Sequence, residues 1–188
     1  MKKFLLAPFL GALATFLFGF IYWGLPPHLA YKSLSSVPDV SATTLAIGKL
    51  FPTSGTYLLP NPLDGEAKMN ELAARGPSVE VHIRQEPFTG GDMGKVMALG
   101  FVHMFVVCLL VSILLCGLSK AFVCWKCRVK FCASLGLLVA MGELSYVIWW
   151  HHPLGWTLAH AIYLFLMFVI IGLVLAKFVT PKESVPAT

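Results

Sequence analysis

The chain has 188 residues, of which 57% are hydrophobic and 12% charged, with a mean hydropathy of +0.79 and a formal net charge of +5. That composition excludes an ordinary soluble domain and reads as a polytopic membrane protein. The basic balance is not a nucleic-acid signal either, because Lys2, Lys3, Lys120, Lys126, Arg128, Lys130, Lys177 and Lys182 all flank apolar runs in short segments, where Lys and Arg set topology.

The first apolar run predicts a transmembrane helix over 4–24, since residues 4–31 contain no Asp, Glu, Lys or Arg and a span needs roughly 20 apolar residues. Met1-Lys2-Lys3 before it also suits a signal peptide, but the run exceeds a typical signal core. His28-Leu29-Ala30 supplies no small-x-small cleavage site, so an uncleaved helix is expected. Gly11, Thr15 and Gly19 form a small-residue stripe for helix packing, and Pro26-Pro27 ends the helix.

Residues 25–95 form an insert of near-neutral charge without topogenic bias, expected outside the cytoplasm as a periplasmic α+β cap. Pro38-Asp39 opens a helix through Leu50, and Thr56–Leu59 is a short strand. Asp64 is expected to cap a helix over 65–75 that ends at Gly76 before Pro77. Val79 through Arg84 alternates apolar and polar residues like a half-buried strand. So thin a set of elements cannot build a self-sufficient core, and the cap is expected to rest on the helices or on a partner. Phe88 through Asp92 reads as a flexible lead into the next helix, and His28 and His82 as solvated.

A second transmembrane helix is predicted over 96–118, a basic cytoplasmic loop over 119–130, a third helix over 131–150, a fourth over 155–177, and a cytoplasmic tail over 178–188 that is frayed after Pro181. The last two spans are separated by His151-His152-Pro153-Leu154-Gly155, which supplies turn chemistry. Gly100, Met104, Cys108, Ser112 and Cys116 form a packing stripe on the second helix, and Cys132, Gly136 and Ala140 form one on the third. The expected fold is therefore mainly α, a four-transmembrane-helix bundle with a small extracytoplasmic α+β cap between helices 1 and 2.

Three ionisable residues lie inside predicted spans: His103 about 10 Å and Glu143 about 12 Å below the outer surface at 1.5 Å per residue, and His160 at a shallower depth. A carboxylate in hydrocarbon costs about 2.5–3.5 kcal/mol, so Glu143 should face the bundle. His103, Glu143 and His160 are thus candidate ligands for a metal ion or haem, against a plainer role as interhelical hydrogen-bonding groups. Trp149, Trp150, His151, His152 and Trp156 are expected as an interfacial rim that can also meet a partner.

All five cysteines, Cys108, Cys116, Cys124, Cys127 and Cys132, lie in the second helix, the basic loop or the start of the third helix, which fits a reduced cytoplasmic side and a cap without disulfides. Cys124-Trp125-Lys126-Cys127 has C-x-x-C spacing, but it lacks a second pair for zinc and a thioredoxin-like context. It reads first as a membrane-surface loop, with palmitoylation or metal binding as alternatives. No P-loop, G-x-S-x-G or H-E-x-x-H is present, so no enzyme is indicated.

Ser54 through Pro60, Arg75-Gly76-Pro77 before a strand, and Ile148 through Trp156 together resemble a group of small uncharacterised bacterial inner-membrane proteins with four transmembrane helices and a periplasmic insert after the first. The resemblance implies bacterial origin and this topology in the inner membrane, and no activity. The expected role is a non-catalytic accessory subunit, with both termini cytoplasmic, whose partners are the lipid bilayer and a larger respiratory or photosynthetic complex. No cofactor is expected for that role. The alternatives are a metal- or haem-binding protein and a homo-oligomeric transporter dependent on Glu143.

Overall fold

A computed structural model describes residues 2–24 and 29–178. The chain forms two compact units, one of residues up to Leu34 together with those from Met93 onward, the other Ser35–Asp92. Pro26, Pro27, His28 and the tail from Val179 lie outside the described residues.

The larger unit holds four long helices, α1 (Lys2–Gly24), α5 (Gly90–Gly117), α6 (Trp125–Trp149) and α7 (Leu154–Leu175), and a single helical turn α2 (Leu29–Lys32). Each long helix is long and apolar enough to cross a membrane. Their outward residues are apolar too, as Leu17, Ile21, Leu99, Leu110, Leu138 and Ile148 show. Large exposed side chains of that kind suit a hydrocarbon solvent.

Without a hydrophobic drive between helices in lipid, association relies on close approach of small residues. The small-residue stripes are buried in part: Gly11 and Thr15 on α1, Cys108 and Ser112 on α5, and Cys132, Gly136 and Ala140 on α6 are buried, while Gly19, Gly100 and Met104 are half-buried. Cys116 departs from its stripe and is exposed, because the face turns instead through Val111 and Leu115. α7 lies in the middle. On one side a Cβ at Gly136 would stand 2.6 Å from Phe168 Cβ and 3.1 Å from the Phe165 carbonyl, and one at Gly172 would stand 2.8 Å from Cys132 Cβ and 3.3 Å from Val129 Cα. On the other side α1 runs antiparallel to α7, with the Gly11 position near Leu175 and the Tyr22 hydroxyl donating to the Ala159 carbonyl at 2.8 Å. α5 packs on α1 through Gly11 against Cys108 and through edge-on rings of Phe9 and Phe16 with Phe101.

α6 begins six residues earlier than the sequence suggests, so residues 125–130 are helix rather than loop. Cys124 is the N-cap, its sulfur accepting the Cys127 N–H at 3.0 Å. Arg128 sits in this first turn, 5% exposed, on the line that continues through Cys132, Gly136 and Ala140. Its guanidinium donates to the carbonyls of Phe122 at 2.9 Å, Val123 at 2.9 Å and Ala176 at 3.2 Å. Ala176 is the C-cap of α7, so the cation meets the negative end of that helix and takes up carbonyls it would otherwise leave open. At the far end of α6, His151 takes a left-handed conformation (φ 53°), and the N–H groups of Trp150 and His152 return to the Tyr146 carbonyl. That turn reverses the chain into α7.

The smaller unit contains α3 (Val40–Leu50), β1 (Gly55–Leu59), a 3-10 turn (Pro62–Asp64), α4 (Glu66–Arg75) and β2 (Val79–Ile83). The strands pair antiparallel, Gly55 opposite Ile83 and Leu59 opposite Val79. Asp39 caps α3 by accepting the Ala42 N–H at 2.8 Å. Asp64 does not cap α4; it belongs to the 3-10 turn held by Asn61 and pairs with Lys68. Gly65, at φ 96°, takes the N-cap position that a side chain would resist. Gln85 ties β2 to the end of α3, donating to the carbonyls of Gly48 at 3.2 Å and of Phe51. Ser54 accepts the Gln85 N–H and donates to Glu86. Residues 88–92 are not a flexible lead. Asp92 accepts both the Thr89 N–H at 2.8 Å and its hydroxyl at 2.6 Å, and these bonds tie the chain into a helix that starts at Gly90. Polar ties dominate this unit, and none of its side chains is buried.

Two outcomes follow from the α6–α7 contact. Gly136→Val and Gly172→Val each force two backbones apart and should lower stability in detergent by about 1–3 kcal/mol, read as a fall in thermal midpoint. Arg128→Leu, of similar bulk but without donors, strands carbonyl oxygens and should cost about 1–3 kcal/mol. Arg128→Lys should recover only part of this, since one ammonium cannot reproduce the planar fork.

Candidate functional site

His103, Glu143 and His160 lie on three different helices, α5, α6 and α7. His103 is exposed and Glu143 half-buried. The His160 ring lies tilted against two indoles, its centroid 4.6 Å from that of Trp23 and 5.1 Å from that of Trp156. Among the described residues no group of three or more His, Cys, Asp or Glu side chains could hold a metal ion. The three candidate ligands are therefore not gathered around one centre, and His160 serves the packing of α1 on α7.

The rim residues divide into two sets. Trp149 and Trp150 project outward, 75% and 49% exposed. Trp156 turns inward onto His160, and the His152 ring lies 5.3 Å from that of Tyr146. His151 is exposed at the left-handed turn. Inward of the rim, Phe18, Tyr22, Trp23 and Tyr163 form a continuous ring cluster, Phe18 and Tyr163 stacked at 5.7 Å and 4°. An amphipathic aromatic layer of this kind suits the headgroup zone.

Beside that cluster a groove of about 600 Å³ opens between α1 and α5, lined by residues that include Phe16, Phe20, Met97, Met104 and Tyr163. Its walls are almost wholly apolar. Sequence periodicity gives no sign of it, because it depends on the spacing of two helices, with Gly19 and Gly100 among its lining residues.

The opposite end of the helix unit carries the densest chemistry. Cys124 and Cys127 are joined as a disulfide, their Cα atoms 5.2 Å apart, which corrects the expectation that all five cysteines are reduced thiols. Three others remain free: Cys108 and Cys132 buried in the core, Cys116 exposed. The C-x-x-C does not lie on an irregular surface loop. It spans the N-cap and first turn of α6, where Cys124 is exposed and Cys127 half-buried. Val123 and Trp125, on either side of Cys124, are 64% and 40% exposed. Arg128, read from the sequence as a topology signal alone, proves to be the buried clamp on the carbonyls of Phe122 and Val123 just ahead of Cys124. Its sign in the sequence is a cation four residues before Cys132, on the packing stripe itself.

Geometry is the guide to this chain: no family model matches it, and neither a curated protein nor a solved structure does.

Proposed function

We propose that this protein is a non-catalytic integral-membrane accessory subunit of a larger bacterial membrane complex, such as a respiratory or photosynthetic one. In this reading the four long helices span the inner membrane, the basic end and both termini face the cytoplasm, and Ser35–Asp92 is a periplasmic cap. The orientation rests on Lys120, Lys126, Arg128, Lys130 and Lys177, which all fall at one end of the helices.

The observation that carries the reading is the cap itself. It holds regular secondary structure without one buried side chain, and it presents Val40, Leu45, Leu50 and Leu63 to solvent, Leu63 at 91% exposure. Folded segments that lack a core of their own take their stability from a surface that covers them, and apolar residues left in the open mark where. On the helix unit, considered by itself, Trp149 and Trp150 are likewise large apolar side chains left exposed.

Purification from native membranes in a mild detergent should yield stoichiometric companion subunits. A protein that elutes as a free monomer with no companion argues against the assignment. In the same preparation, Leu45→Glu together with Leu50→Glu should release the companions by at least about tenfold, equivalent to about 1.4 kcal/mol. The thermal midpoint of the helix unit should be unchanged. A reporter placed within Ser35–Asp92 should prove periplasmic, and a cytosolic signal would reverse the orientation.

A further inference from the structure

We infer that Cys124 and Cys127 form a redox site that exchanges electrons with a protein dithiol at the basic end of the helix unit. This goes beyond the accessory role and rests only on the cytoplasmic orientation of the basic end given with it. The bond joins residues three apart inside the first turn of one helix, so it ties no two elements together. The seam of Gly136 and Gly172 and the clamp of Arg128 hold that end without it. A structural staple would gain little here. Where the cytosol keeps thiols reduced, a disulfide that does form is usually transient and serves catalysis or sensing.

The two sulfurs stand in unequal positions. Cys124 is exposed and flanked by exposed Val123 and Trp125, a small apolar landing for a protein partner. Cys127 is half-buried behind it. Attack from solution therefore falls on Cys124, and Cys127 is the leaving sulfur. The site also favours the thiolate that exchange requires. As N-cap, the Cys124 sulfur faces the Cys127 N–H at 3.0 Å and the positive end of α6, with Lys126, Arg128 and Lys130 in the first turns. Arg128 fixes the Phe122 and Val123 carbonyls through bonds that involve neither sulfur, so one frame serves both oxidation states.

The step balances without any further reagent. A thiolate of the partner dithiol attacks Cys124 Sγ; the Cys124–Cys127 bond breaks, a mixed disulfide forms, and Cys127 leaves as a thiolate that takes up one proton. The partner's second thiolate then attacks its own sulfur in the mixed disulfide, and Cys124 leaves and is protonated. Two electrons and two protons pass to the pair, and the partner becomes a disulfide. The reverse sequence oxidises a dithiol form of this protein with a partner disulfide.

The test uses the full chain carrying Cys116→Ser in detergent, equilibrated in glutathione buffers of graded oxidised-to-reduced ratio, then quenched in acid and alkylated. Peptide mass spectrometry reads each cysteine separately. Cys124 and Cys127 should change state together in a single transition within the buffer range, while buried Cys108 and Cys132 stay thiols. Under oxidised glutathione, Cys127→Ser should form an adduct at Cys124 at least tenfold faster than Cys124→Ser forms one at Cys127. A pair that remains oxidised in the most reducing buffer is a structural bond and overturns the inference. So do two cysteines that react independently, equal adduct rates, or protein that carries stoichiometric zinc on a reduced pair. If either variant fails to fold, the titration of the parent chain alone decides.

Discussion

The structure depends on the contact between α6 and α7, where Gly136 and Gly172, having no side chains of their own, let the two helices approach closely. In a hydrocarbon solvent apolar side chains gain nothing by leaving lipid for protein, so van der Waals contact at short range does most of the work of association. Each glycine receives the neighbouring helix, Phe168 over Gly136 and Cys132 over Gly172, and the pair spaced along the seam fixes both separation and register. α7 then offers its other side to α1, which α5 covers in turn.

The register has a chemical consequence at the basic end. With Cys132 seated against Gly172, Arg128 one turn earlier comes level with the C-terminus of α7 and reaches the Ala176 carbonyl. A buried guanidinium would be very costly alone. Here carbonyls from three residues accept from it, and the helix dipole adds a complementary partial charge. The same bonds hold the chain on its way into Cys124. The packing of two apolar helices thereby sets the geometry of a polar, sulfur-bearing turn at one end of the helix unit.

The smaller unit follows another logic. Its elements are started and stopped by local devices: Asp39 at α3, Asn61 and Gly65 before α4, and Gly76 after it, while Asp92 holds Thr89 where the chain leaves for α5. Its elements are joined by the Gln85 and Ser54 hydrogen bonds rather than by a core. Local signals of this sort decide where helices and strands lie but contribute little to holding them together.

Patterns that act within a few residues could be read from the amino-acid order. Four apolar runs gave the four long helices because a span is a matter of length and composition. The four-residue stripes through Gly11, Cys108 and Gly136 gave the packing faces because helical periodicity alone puts them on one side. The Thr89–Asp92 bonds are equally local, but Gly90-Gly91 beside them reads as a flexible pair. Features that need two helices in a defined register were beyond the reach of one-dimensional pattern. His103, Glu143 and His160 fall at similar levels along their helices when counted by residue rise, yet such a count says nothing about rotation around a helix axis, and they do not converge. The burial of Arg128, the bond between Cys124 and Cys127 and the groove beside Tyr163 were settled by tertiary structure, since each depends on how far one backbone stands from another or on where a helix takes its first turn.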